Sequence, residues 1–306
     1  MHDLQDLLHQ AHALGKADTG KGAVARYIPE LSKADPSLFG LSVCYLDGRS
    51  WHAGDVDVPF TLQSVSKVFS FALALRERGM TVFERMSCEP SGDTFHSIVR
   101  LEEEKGAPRN PYINAGAIKV SSSIPGNDPE KKVDALRRFM GRACPGWDFP
   151  VDEAVRLSES RTGFRNRALA NFMAHHGVIQ DPAAAVETYF RQCAVQVTAR
   201  SLAQLGLFLA NKGCVPGTDN QIVSVSANRI VVSLMATCGL YDEVGHFAMT
   251  TGVPAKSGVS GGILAVVPGR MTIAAYGPAL GAKGNSIAGM RALAFLSAAL
   301  ELSVYA

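Results

Sequence analysis

Ser64 and Lys67 stand three positions apart in Phe60-Thr-Leu-Gln-Ser-Val-Ser-Lys-Val-Phe69, just under one helical turn, so both side chains share a face. A serine hydroxyl is a weak nucleophile near neutrality because it keeps its proton. An adjacent amine can take that proton if burial or nearby positive charge keeps the amine neutral. A helix start adds unpaired N–H groups and positive dipole character, which favour a developing anion. One turn of chain would then supply nucleophile, base and oxyanion stabiliser. The spacing alone is common and describes many solvated surface helices. Here it opens residues 65–79, apolar nearly all round as far as Arg76, which marks a buried helix. Lys67 is therefore expected inside the protein, and a buried lysine requires a reason.

A second triplet, Lys256-Ser257-Gly258, precedes a strand that begins near Gly262. A serine–lysine acyl-transfer site needs such a triplet on its opposite wall. The lysine sets positive potential there, and small residues let backbone N–H groups approach the substrate. The Ser64 and Val259 N–H groups would form the oxyanion hole. Two other patterns fail. Gly15–Gly22 nearly matches a phosphate-binding loop, but Gly22 stands where a Ser or Thr is required and a helix precedes it. Gly258-Val-Ser260-Gly-Gly262 fits the hydrolase elbow, yet a strand and not a helix follows the serine. No metal is expected: His175 and His176 are adjacent and point about 100° apart on a helix, and no Cys-x-x-Cys or His-Glu-x-x-His occurs.

The elements that must position these groups are legible in part. Leu4, Leu7, Leu8, Ala11 and Leu14 recur at helical spacing and predict an amphipathic helix ending near Gly15. Leu41, Val43 and Tyr45 alternate before Asp47-Gly48, a hairpin turn leading to Trp51. Helix signals dominate from Ser64 to about Asn211, broken by loops near 106–116, 124–129 and 144–150. Helices are expected at 152–158, 166–175, 198–210 and 227–238. Gly262–Val267 and Met271–Tyr276 flank Pro268-Gly269-Arg270 as a second hairpin. A final helix carries Ile287, Met290, Leu293, Leu296 and Leu300, capped by Asn285 or Ser286. The economical arrangement is an α+β protein: one antiparallel sheet from N- and C-terminal strands with flanking helices, plus an inserted all-helical subdomain. A single catalytic domain over 1–306 would then combine a sheet subdomain, 1–60 and 213–306, with a helical one, 61–212. The cleft between them is where the site is expected.

Composition narrows the class. A chain of 306 residues, 47% hydrophobic and 19% charged, with formal net charge +2, offers no basic block for nucleic acid. The start, Met1-His-Asp-Leu-Gln-Asp6, is polar and acidic, unlike a secretory signal. No apolar run suits a bilayer span, the C-terminal candidate being interrupted by Arg291. Six cysteines without paired spacing fit free thiols in a reducing compartment. A cytoplasmic enzyme that touches neither nucleic acid nor membrane is expected.

Six segments carry a resemblance: Phe60–Lys67, Asn110–Ala117, Ser158–Asn166, Tyr189–Cys193, Thr237–Asp242 and Pro254–Gly262. Together they resemble the serine-dependent glutaminases, enzymes with a serine β-lactamase-like fold, in order from about Gly20 to Gly289. The resemblance implies hydrolysis of L-glutamine to L-glutamate and ammonia without a cofactor, in a homodimer or homotetramer. Ser64 would be the nucleophile, Lys67 its base and Tyr241 a proton-relaying hydroxyl. Tyr27, Asn114, Glu159, Asn166 and Tyr189 would hold the amino-acid end of the substrate, and Val259 the second oxyanion N–H. The chemistry agrees: a carboxylate can pair the α-ammonium, while amide and hydroxyl donors hold the α-carboxylate. Two rivals are a non-catalytic glutamine-binding protein and a penicillin-interacting hydrolase of the same fold. The latter would need export and a Ser-x-Asn or Tyr-x-Asn second motif, where this chain has Ser158-Glu159.

Overall fold

The computed structural model describes residues 4–92 and 97–305; Met1–Asp3 of the polar start lie outside them. Helix α1 (Leu4–Lys16) buries Leu7, Leu8 and Ala11, the apolar stripe of its sequence. Strands β1 (Gly40–Tyr45) and β2 (Ser50–Gly54) form the first hairpin, with Gly48 at φ 88° in the turn. A short strand, β3 (Phe60–Thr61), leads through a 3₁₀ turn at Gln63–Val65 into α2 (Ser66–Arg78). Every residue of α2 from Ser66 to Leu75 is buried, as its all-round apolarity requires.

Six helices follow: α3 (Ile98–Glu103), α4 (Asn114–Ser123), α5 (Pro129–Ala143), α6 (Glu153–Thr162), α7 (Phe164–His175) and α8 (Pro182–Cys193). Asp128, Asp152 and Asp181 cap α5, α6 and α8 through carboxylates that accept backbone N–H groups, and Pro129 and Pro182 occupy first-turn positions. Helix α4 starts inside the stretch expected as loop, because the loop signal of Asn110-Pro111 lies just ahead of it. Strand β4 (Gln196–Val197) pairs with β3. Thr198 and Ser201 form a reciprocal cap on α9 (Ala199–Ala210). Then come α10 (Val225–Cys238), α11 (Val244–Thr250), β5 (Ala255–Ser257), β6 (Gly262–Val267), β7 (Met271–Tyr276) and α12 (Ile287–Leu300). Ser286, not Asn285, caps α12, its hydroxyl accepting from Gly289 N–H at 3.2 Å.

The main sheet is antiparallel throughout, in the order β2-β1-β7-β6-β5. N-terminal strands thus join C-terminal ones, as expected. Period-2 alternation divides its buried side chains between two cores. Leu264, Val266 and Ala274 join the large core built with α2, α5 and α9. Ile263, Ala265, Ile273 and Ala275 face the second core, under α1 and α12. Two helices cross the division drawn at residues 61 and 213. Helix α9 packs on β7, β1 and β6, whereas α10 packs against α2 as well as β5. The triplet Lys256-Ser257-Gly258 lies on a sheet edge, as such a site requires: Ala255–Ser257 is the edge strand, registered on Ile263–Ala265.

Candidate active site

Ser64 lies in the 3₁₀ turn that precedes α2, two residues before the helix proper. Three contacts fix this turn. Strands β3 and β4 pair, and Leu62 N–H donates to Val195 O at 2.8 Å. The Ser66 hydroxyl donates to Gln63 O at 2.7 Å. Edge strand β5 is followed by Gly258, where an added Cβ would stand 2.7 Å from Leu62 O and 3.3 Å from Ser64 N. Only glycine permits so close a backbone approach. Gln63, the residue before the serine, has φ 47°, a left-handed conformation costly for a side chain other than glycine and typical of functional turns.

Lys67 is fully buried, and burial lowers its pKa to about 8. Its Nζ donates to Tyr112 O at 3.0 Å and to Asn114 Oδ1 at 2.8 Å. Two acceptors match the two hydrogens of a neutral amine and leave its lone pair over. Among the described residues no hydrogen bond joins Lys67 to Ser64. The serine is instead linked to Tyr241, whose hydroxyl also donates to Ser257 O at 3.4 Å. Tyr241 has φ 52°, and burial pushes its hydroxyl up to about 12.

Lys256 does not face the substrate side. Its Nζ donates to Gly239 O at 2.8 Å and to Ser257 O at 2.7 Å, and lies 4.4 Å from the centre of the Tyr241 ring. Burial, then repulsion from Lys67, draws it well below an ordinary lysine. It therefore supports Tyr241 from behind, and the open positive wall expected from the sequence is absent at this position. The Ser257 hydroxyl is buried without a hydrogen-bond partner among the described residues.

A cavity of about 400 Å³ opens beside Ser64, lined among others by Tyr27, Asn114, Glu159, Asn166, Tyr189 and Val259. These six expected residues thus line one cavity with the serine, whereas Tyr241, also expected to contact substrate, lines a second cavity together with Tyr112 and Thr237. Asn114 is oriented completely: its Oδ1 accepts from Lys67 and, at 3.2 Å, from the Tyr189 hydroxyl, while its Nδ2 donates to Asn166 Oδ1 at 2.9 Å. Glu159 is 5% exposed, and its Oε2 has no hydrogen-bond partner among the described residues. Burial raises its pKa to about 8, against the opposing pull of a hydrogen bond from Gln63 and the charge of Lys67. A buried carboxylate with an open oxygen is suited to receive a cation. Tyr27 is 58% exposed at the rim. It is held by the following 3₁₀ segment Pro29–Lys33, whose Glu30 N–H donates to Ser158 Oγ at 3.2 Å.

The sequence did not single out Gln63, Thr162, Gly163 or Arg165, which also line the cavity. Gln63 was adjacent to the nucleophile, but its left-handed backbone has no signature in a glutamine. It also missed the buried Cys193 thiol, which approaches Tyr189 and Ser66. Ser260 stays away from this cavity, its buried hydroxyl unpartnered among the described residues. The Gly15–Gly22 stretch is a helix end and an exposed 3₁₀ turn. Among the described residues no His, Cys, Asp or Glu group could hold a metal ion, and no helix is long and apolar enough to cross a membrane. All six cysteines are free.

A sequence model of the family described as Glutaminase matches residues 22–305. Among curated proteins, the glutaminase of Methylobacterium nodulans is 47% identical over 100% of this chain and 99% of its own. That of Clostridium tetani is 45% identical over 94% and 95%. Among solved structures, a probable glutaminase from Bacillus subtilis complexed with 6-diazo-5-oxo-L-norleucine superposes with a TM-score of 0.91 at 36% identity, covering 99% of this chain and 98% of that one. A covalent complex between the Bacillus subtilis glutaminase and 5-oxo-L-norleucine, formed by reaction with that diazo compound, gives a TM-score of 0.90 at 36% identity, covering 99% and 100%.

Proposed function

The chain belongs to the glutaminase family, and from that premise we propose that it hydrolyses L-glutamine to L-glutamate and ammonia through an acyl-enzyme on Ser64. The observation that carries this reading is one cavity lined by both Ser64 and the buried Glu159, whose Oε2 has no hydrogen-bond partner among the described residues. The α-ammonium of glutamine pairs with Glu159; Asn114, Asn166 and Tyr27 hold the α-carboxylate, and Tyr189 orients Asn114 at that end. Ser64 Oγ attacks the δ-carbonyl, and the resulting oxyanion lies between the N–H groups of Ser64 and Val259. The close approach of Gly258 to Ser64 N supports this pairing. Lys67 is the base that finally takes the serine proton. Catalytic hydrogen bonds often tighten only around bound substrate, so the missing direct link to Ser64 does not remove it. Tyr241, already bonded to Ser64, relays a proton to the departing nitrogen. Water then hydrolyses the γ-glutamyl ester. No step calls for a metal or organic cofactor. The covalent complex of the Bacillus relative with a glutamine-like ketone lends support by analogy.

Ser64→Ala is expected to abolish ammonia release in a coupled assay, whereas Ser260→Ala keeps a large fraction; the reverse would sink the assignment. Tight glutamine binding with no ammonia release would favour the non-catalytic reading. Covalent labelling by a fluorescent penicillin would favour a penicillin-interacting hydrolase. A cytoplasmic homodimer or homotetramer remains the expected form by family resemblance, and light scattering would test the assembly.

A further inference from the structure

Three site-bearing helices meet at a polar cluster outside the cavity. Gln192, on α8 three residues after Tyr189, is fully buried, as are Ser66 and Ser70 of α2 and Ser121 of α4. Gln192 Nε2 donates to Ser66 Oγ at 3.4 Å and to Ser70 Oγ at 3.3 Å. Its Oε1 lies 3.1 Å from Ser121 Oγ, whose single hydrogen is shared with Ala117 O at 2.8 Å. Each serine of α2 has a single hydroxyl hydrogen. With its oxygen already accepting from the amide, Ser66 donates to Gln63 O at 2.7 Å, and Ser70 donates to Lys67 O at 3.3 Å. The amide thus directs two hydroxyls onto the backbone carbonyls beside the nucleophile and at the base.

We propose that Gln192 is a positioning residue for the reaction, holding the left-handed Gln63–Ser64 turn and the Lys67 backbone in register with α4 and α8 through Ser66 and Ser70. Its position suits this task. Gln63 is strained at φ 47°, and a strained residue keeps its conformation only where its surroundings over-determine it. The bond from Ser66 to Gln63 O is one such constraint, and Gln192 fixes the orientation of Ser66. The same glutamine binds α4, which carries Asn114, and its own helix carries Tyr189. Nucleophile turn, base and substrate-side residues are thereby tied at a point that no substrate touches. A buried, hydrogen-bonded polar network of this kind favours one arrangement of the helices around it. An apolar side chain of equal length would fill the space and leave the arrangement free to shift.

This inference rests on Ser64 being the nucleophile, so the test runs Ser64→Ala beside Gln192→Met and Ser66→Ala. 6-Diazo-5-oxo-L-norleucine counts reactive sites in each preparation that keeps Ser64, so a misfolded fraction does not pass for a slow enzyme. Per reactive site, Gln192→Met is expected to lower kcat on the order of 10-fold or more while KM changes less than about threefold, since small misplacements of reacting groups cost such factors. Ser66→Ala should lower kcat in the same way, and the double variant should be no slower than the worse single one, because both changes break one chain of contacts. If Gln192→Met does not fold, Ser66→Ala alone carries the test through the same kcat-against-KM split. An unchanged kcat per site in the folded variants, or fully multiplicative losses in the double variant, would overturn the inference. Ammonia release that survives Ser64→Ala would instead bring down the underlying mechanism.

Discussion

At the scale of single residues, the site works by placing ionisable groups where water cannot reach them. Burial lowers Lys67 and raises Glu159, each to about 8, the direction in which desolvation drives a cation and an anion. The sign for activity is the same at both. Raising pH through 8 frees the Lys67 lone pair and ionises the Glu159 carboxylate that pairs the substrate ammonium. The kcat of the wild type should therefore climb along a limb near pH 8, and kcat/KM more steeply. A pH–rate profile flat from about pH 7 to 9 would argue against Lys67 as base. Glu159→Gln should raise KM for glutamine by about 10–100-fold, the loss of one charge-assisted contact, and should leave kcat with its Lys67 limb. Steady-state kinetics across pH measure both. Gln63 allows a cleaner separation. Gln63→Ala and Gln63→Gly both delete the amide that bonds Glu159, but only alanine keeps a Cβ at φ 47°. The glycine variant should therefore be the more stable by about 1 kcal/mol in urea denaturation.

At the scale of elements, the nucleophile is aimed by backbone approaches more than by side chains. The loop that leads into α4 is folded on Asn110, whose Oδ1 accepts from Tyr112 N–H at 3.0 Å and Ile113 N–H at 3.1 Å. This presents Tyr112 O to Lys67. Gly116 lies beneath that loop, where an added Cβ would stand 1.8 Å from Asn110 O. Gly116→Ala must therefore displace either the loop or the helix that carries Asn114. It is expected to cost activity more than tenfold, because reacting groups tolerate little displacement, and to lower the thermal midpoint. Wild-type kinetics in that variant would show that the loop yields without cost. The caps of α5, α6, α8 and α9 are short-range side-chain signals; the expected starts of α6 and α9 lie within one residue of those observed, whereas α6 runs on to Thr162, past the expected end at 158.

At the scale of the whole molecule, sheet and helical block share the larger of the two cores that flank the sheet. Helix α9 lies on β1, β6 and β7 and also packs with α5, so that larger core is incomplete without either part. Leu264→Ala, deep in the shared core at 0% exposure, should cost about 2–5 kcal/mol. Unfolding followed by circular dichroism should coincide with unfolding followed by tryptophan fluorescence. Trp51 lies beside the sheet core and Trp147 beside the helical one, so two separated fluorescence transitions would mean that the parts unfold independently.

The sequence by itself determined what depends on neighbours along the chain. That includes the buried helix behind Ser64, both hairpins, the cap of the last helix at Asn285 or Ser286 and the antiparallel sheet joining the two ends. It also supplied the residue types that meet at the cavity, from Tyr27 to Val259, though their convergence was inferred from motifs and not from spacing. Tertiary structure decided the rest. It turned Lys256 behind Tyr241, gave Ser64 a tyrosine partner in place of the lysine one turn away, set Gln63 in a left-handed bend and assembled the Gln192 cluster from three helices. The reason is physical. Periodicity, capping and turn chemistry are local, whereas the direction of a buried polar side chain follows from which donors and acceptors distant segments bring within about 3 Å, and no single stretch of sequence records that.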